Sequence, residues 1–80
     1  MWKEGWISVP ADGVLHVVRW QAKVFEEGSV LGINGGKISK LCVWLDGKEV
    51  VGYDRGWYLE PDLNNHLISV AYSIVLQELN

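Results

Sequence analysis

The run over residues 14–25 alternates in a way that few structures accommodate. His16, Val18, Trp20, Ala22 and Val24 fall on one side, and Arg19, Gln21 and Lys23 on the other. Period two is the repeat of a β-strand, so this run predicts a strand with one face in a core and one in water. Such a strand needs partners, because a half-covered ribbon is marginal in water. The flanking sequence supplies them. Residues 2–9 carry the β-favouring Trp6, Ile7 and Val9, then reach Pro10-Ala11-Asp12-Gly13, a turn signal. Residues 38–45 and 48–53 flank Asp46-Gly47, and Asp-Gly between two β-rich runs marks a hairpin with a two-residue turn. That turn sets Val43 opposite Val50, Leu41 opposite Gly52 and Lys40 opposite Tyr53. Leu41, Val43, Leu45 and Val50 then share one face, and Lys40, Cys42, Trp44, Glu49, Val51 and Tyr53 share the other.

After Glu60-Pro61-Asp62 the period changes. Leu63, Leu67, Val70, Ala71 and Ile74 follow helical spacing, with Pro61 suited to a first turn, and the helix is expected to run to about Glu78. The fold class that follows is α+β: a four-stranded antiparallel sheet with one C-terminal helix packed on one face, ββββα. Trp20, Leu41, Val43, Val50, Leu67, Val70 and Ile74 are its expected core. Eighty residues leave room for a single domain spanning residues 1–80. Hydrophobic residues at 49% and charged ones at 21% are a globular composition.

Composition also narrows function. Cys42 is the sole cysteine, so no internal disulfide is available. The spacing of Cys42, His16 and His66 offers no ligand set, which predicts neither metal nor cofactor. No apolar run approaches the ~20 residues of a membrane span, and residues 1–6 lack the order of a signal peptide. A cytoplasmic, membrane-free protein is expected. A net charge of −3 argues against a general polyanion binder.

Several groups of residues still invite chemistry. The glycine-rich stretch Gly32-Ile33-Asn34-Gly35-Gly36 could present amides to a phosphate, but it feeds a strand rather than a helix, and a loop needing left-handed backbone angles is the plainer reading. His16, His66 and Cys42 lie on separate segments, and a lone strand cysteine is more often a small buried hydrophobe than a nucleophile. Tyr53-Asp54-Arg55-Gly56-Trp57 is a dense mixed segment that should join the last strand to the helix. Arg19, Lys23, Lys40, Trp44 and Tyr53 could share the polar sheet face, and cations interleaved with aromatics are what a single-stranded nucleic-acid platform uses. All the Lys and Arg precede residue 60, but Glu4, Asp12, Glu26, Glu27, Asp46, Glu49 and Asp54 offset them, which weighs against nucleic acid. With Asp54, Arg55 and Trp57 added, these residues form the candidate interaction surface.

The run Gly32-Ile33-Asn34-Gly35-Gly36-Lys37-Ile38-Ser39-Lys40-Leu41, with Asp46-Gly47-Lys48 and Tyr53-Asp54-Arg55-Gly56-Trp57, resembles an uncharacterised family of small proteins. It is a domain of unknown function met in Gram-positive bacteria, their phages and conjugative elements. The resemblance covers residues 30–80 and, more loosely, the first strands. It implies a genomic setting and no mechanism.

The helical segment carries no Lys or Arg and holds a second apolar stripe, Ile68, Tyr72, Val75, Leu76 and Leu79. Left in water, that stripe would be a candidate dimer interface; Trp2, Trp6 or Trp57 folding over it is the competing account. The functional expectation is a non-enzymatic protein-interaction module acting as a homo-oligomer, most simply a dimer. The alternatives are an inhibitor or modulator, encoded by a phage or mobile element, of a host nucleic-acid enzyme, whose partner would be a host protein, and single-stranded nucleic-acid binding on the polar sheet face. An enzyme is not expected, since no acid, base and nucleophile converge.

Overall fold

The computed structural model describes residues 1–80 as one antiparallel sheet with a helix across one face. The strands are β1 (Trp2–Ala11), β2 (Val14–Val24), β3 (Ile38–Leu45), β4 (Lys48–Asp54) and β5 (Trp57–Leu59), followed by α1 (His66–Leu79). They pair in sequence order, β1-β2-β3-β4-β5. The expected α+β class and helix are present, but the sheet has five strands rather than four. Asp54-Arg55-Gly56 closes a tight hairpin instead of leading to the helix: the Asp54 N–H donates to the Gly56 carbonyl at 2.9 Å and Arg55 takes a left-handed φ of 55°. The strand it starts has three residues, too few to show a period.

Both two-residue hairpins use the same chemistry. Asp12 and Gly13 have φ of 52° and 77°, and Asp46 and Gly47 have φ of 50° and 87°. Positive φ at both central residues is the turn whose twist matches right-handed strands, and Asp-Gly is suited to it. The hairpin at Asp46-Gly47 begins in the expected register, with Leu45 opposite Lys48 and Trp44 opposite Glu49, and then slips: Val43 faces Val51, Cys42 faces Gly52, Leu41 faces Tyr53 and Lys40 faces Asp54. The extra residue in β4 is a bulge around Val50. It turns Val51 and Tyr53 inward, and both are buried, where a regular strand would have placed them on the polar face.

The helix is rotated from the expected phase. Ile68, Ala71, Tyr72, Val75 and Leu79 are the buried residues of α1, while Leu67, Val70 and Ile74 are only half-buried. The expected phase was anchored on Leu63 and Pro61, which precede the helix. Asn65 is its N-cap, accepting from the Ile68 N–H at 3.2 Å, and Asp62 accepts from the Asn64 N–H in a turn just before. Four of the five residues expected at a dimer interface therefore sit against the chain's own sheet, and Leu76 is half-buried at its margin. Trp57 completes this layer, its ring edge-on to Tyr53 at 4.9 Å and to Tyr72 at 5.9 Å.

Val18, Ala22, Leu41, Val43 and Val51 from the sheet share one buried cluster with Ala71, Tyr72 and Val75 of the helix. Of the expected core, Leu41 and Val43 are fully buried; Trp20, Val50, Leu67, Val70 and Ile74 form its half-exposed margin. The glycine loop is tied to this core from two sides. Tyr53 Oη donates to the Leu31 carbonyl at 2.7 Å, while Asn80 Nδ2 donates to the Ile33 carbonyl at 3.0 Å and its Oδ1 accepts from the Ile38 N–H at 3.2 Å.

Candidate functional site: the open face of the sheet

The helix covers one face of the sheet and leaves the other open. Registers place Trp2, Glu4 and Trp6 of β1 beside Lys23, Gln21 and Arg19 of β2, and these beside Lys40, Cys42 and Trp44 of β3. One row across the strands reads Trp6-Arg19-Trp44. The Arg19 guanidinium lies 5.7 Å from the Trp6 ring centre and 5.2 Å from that of Trp44, within cation–π range of both. Packing between two rings orders a side chain that would otherwise sweep freely in solvent.

A second row reads Trp2-Lys23-Lys40-Asp54. Lys23 stands directly opposite Lys40, a like-charge pairing that works against the sheet, and only Lys40 reaches a carboxylate, Asp54 Oδ1 at 3.8 Å. Lys23 instead extends its ammonium over Phe25 at 5.6 Å. Between these rows Tyr58 lies flat across Gly52, where a Cβ would fall 2.3 Å from the ring, so only glycine admits this arrangement. Its hydroxyl is hydrogen-bonded to Cys42 Sγ at 3.3 Å and donates to Glu49 Oε2 at 3.4 Å. The Cys42 contact, together with burial and the nearby Glu49 charge, holds the phenol well above its usual pKa. A groove of about 380 Å³ lies between Trp2 and Tyr58, with Lys40 and Cys42 among the residues lining it.

The candidate surface read from sequence is thus partly assembled. Arg19, Lys23, Lys40 and Trp44 share the open face, and Asp54 and Arg55 lie at its corner, paired with each other at 3.5 Å. Tyr53 and Trp57 do not belong to it: the bulge in β4 turns Tyr53 toward the helix, and Trp57 follows it there. Trp2, Trp6 and Tyr58 were missed. Their relative exposures of 60%, 71% and 58% make them the most exposed aromatic side chains of the molecule. The Asp12-Gly13 turn carried that signal, since a two-residue turn there sets Trp6 opposite Arg19 and Trp2 opposite Lys23.

The remaining candidates lie apart. Gly32, Gly35 and Gly36 donate their amides to Ser29, Gly32 and Ile33 carbonyls, so the glycine loop spends its amides on its own fold. His16 Nδ1 pairs with Asp46 Oδ2 at 2.6 Å, and Asp46 Oδ1 accepts from the Val17 N–H at 3.0 Å. The His16 hydrogen bond and then the Val17 N–H hold the Asp46 carboxyl below its ordinary pKa, a reason for this hairpin to close against β2. His66 is at the start of α1, remote in sequence and element from Cys42. No helix is long and apolar enough to cross a membrane.

Fold and surface together define a small five-stranded meander, capped on one side by a helix and carrying an aromatic and cationic platform on the other. The chain belongs to the family described as Domain of unknown function (DUF7678), whose model matches residues 1–80. No curated protein and no solved structure matches it.

Proposed function

We propose that this protein is a small non-enzymatic interaction module that works as a homo-oligomer and makes its contacts through the sheet. The observation that carries this reading is the clustering of Trp2, Trp6, Tyr58, Val17 and Leu15 in exposed positions on β1, β2 and β5 while the helix is seated on the opposite side. Exposed aromatics beside an ordered arginine are the composition of interaction hot spots. Arg19, Lys23 and Lys40 share the surface with Glu4, Glu49 and Asp54, so both signs of charge are present beside the rings. Sedimentation equilibrium at micromolar concentration tests it. A doubled mass that falls toward 9.0 kDa on dilution is expected; a 9.0 kDa species at every concentration would contradict the homo-oligomer.

A second reading, single-stranded nucleic acid on the same face, is favoured by one specific feature. Lys23 and Lys40 oppose each other without full compensation, beside rings on which bases could stack. Titrating the intrinsic tryptophan fluorescence with a single-stranded oligonucleotide separates the two. Quenching that weakens with added salt and is lost in Trp44→Ala supports nucleic acid, and an unchanged spectrum at low salt counts against it.

A further inference from the structure

The two edges of this sheet are unequal. One is β5, three residues long; the other is β1, a ten-residue strand with no partner on its outer side. We infer that the free edge of β1 pairs with β1 of a second copy, antiparallel across a two-fold axis at Gly5, making one continuous sheet. This rests on the homo-oligomer reading above and says which surface builds the oligomer.

The direction of the backbone groups follows from one pair. Met1 and Val24 exchange both hydrogen bonds, the Met1 amine donating to the Val24 carbonyl at 3.0 Å and the Val24 N–H to the Met1 carbonyl at 2.8 Å. Such pairs alternate along an antiparallel ladder, and β1 and β2 stay in register without a bulge. Lys3, Gly5, Ile7 and Val9 therefore bond to β2, and Trp2, Glu4, Trp6 and Ser8 turn their N–H and C=O groups to the free side. Pro10 falls in the same outward set, where its missing N–H costs the sheet nothing.

That edge tolerates few registers with itself. Centring on Glu4 places two carboxylates opposite each other, and centring on Trp6 sets Pro10 where a donor is needed. Centring on Gly5 avoids both. Trp2 then faces Ser8 of the second copy and Glu4 faces its Trp6, so the outward groups are satisfied by about eight reciprocal hydrogen bonds. Gly5 fits such an axis, because Trp20 already fills the space a Cβ would need on the helix side, at 2.7 Å. Charge agrees as well. A groove of about 150 Å³ beside this edge is walled by Ile7, Trp20, Ile74 and Val75 and carries Glu78, and the second copy's Lys3 comes opposite Ile7, its stem along the apolar wall and its ammonium toward that carboxylate. The paired sheets also align the open faces, doubling the aromatic platform.

Glu4→Pro removes one outward N–H while leaving the ladder to β2 intact, and Glu4→Ala removes the same side chain but keeps the N–H. Sedimentation equilibrium of both variants, each checked for folding by circular dichroism, reads the difference. Association of Glu4→Pro is expected to be weaker than that of Glu4→Ala on the order of tenfold. Should Glu4→Pro not fold, Ser8→Pro against Ser8→Ala repeats the comparison at the outermost pair of the ladder. A wild-type dimer with equal association of the proline and alanine variants overturns the edge while leaving the homo-oligomer standing. A wild-type monomer at all concentrations overturns both.

Discussion

Gly47 shows how much a single backbone angle can carry. Its φ of 87° is one that β-branched residues avoid, and nothing lies within 4 Å of where a Cβ would be, so Gly47→Val would suffer backbone strain with no steric clash. A loss of about 1–3 kcal/mol in denaturant unfolding is expected, and an unchanged midpoint would contradict the left-handed turn. Asp46, in the same turn, gives the molecule a pH dependence of definite sign. Its folded pKa lies below 3.8, so its contribution is fully present above that value and is lost as pH falls through the lower, folded one. Asp46→Asn should therefore lower stability at neutral pH and flatten the acid limb of a melting-temperature profile. His16→Ala should do part of the same, since the Val17 N–H still holds the carboxylate.

At the scale of elements, the helix is held by a face that excludes charge. Val75 is fully buried and Tyr72 is 8% exposed, so Val75→Glu and Tyr72→Glu are expected to unfold the protein rather than to yield a folded monomer, a distinction that circular dichroism makes directly. The last residue matters to the same layer. Asn80→Ala removes one hydrogen bond to the glycine loop at Ile33 and one to the start of β3 at Ile38, and should cost about 1–3 kcal/mol, with faster proteolytic cleavage within residues 28–36 as its local signature. Strand order, the two Asp-Gly hairpins and the existence of the helix were legible in the sequence because each has a strong local cause: alternation, a turn dipeptide, a change of period. The helix phase was not. Both stripes of α1 are apolar, so the pattern does not say which faces the sheet, and Leu63 looked like the first residue of a stripe although it precedes the N-cap Asn65. The bulge near Val50 was equally silent, since Val50-Val51 offers two equivalent residues for one inward position. That slip moved Tyr53 from the expected surface to the core. β5 was hidden by its length alone.

At the scale of the whole molecule, 80 residues build a sheet with only one face covered, and the consequence is a surface that keeps Trp2 and Trp6 largely in water. Edge strands with unpaired backbone groups are ordinarily blunted or used. Pro10 blunts the far end of β1, and the outward groups of residues 2–8 remain. The central claim, that the molecule associates through the backbone edge of β1 and not through the apolar stripe of α1, is read most directly by residue-resolved amide hydrogen exchange at low and high protein concentration. The account predicts that the Glu4, Trp6 and Ser8 amides slow as concentration rises while those of α1 do not change. Outward β1 amides that exchange equally fast at every concentration, or protection that rises in α1 instead, would contradict it.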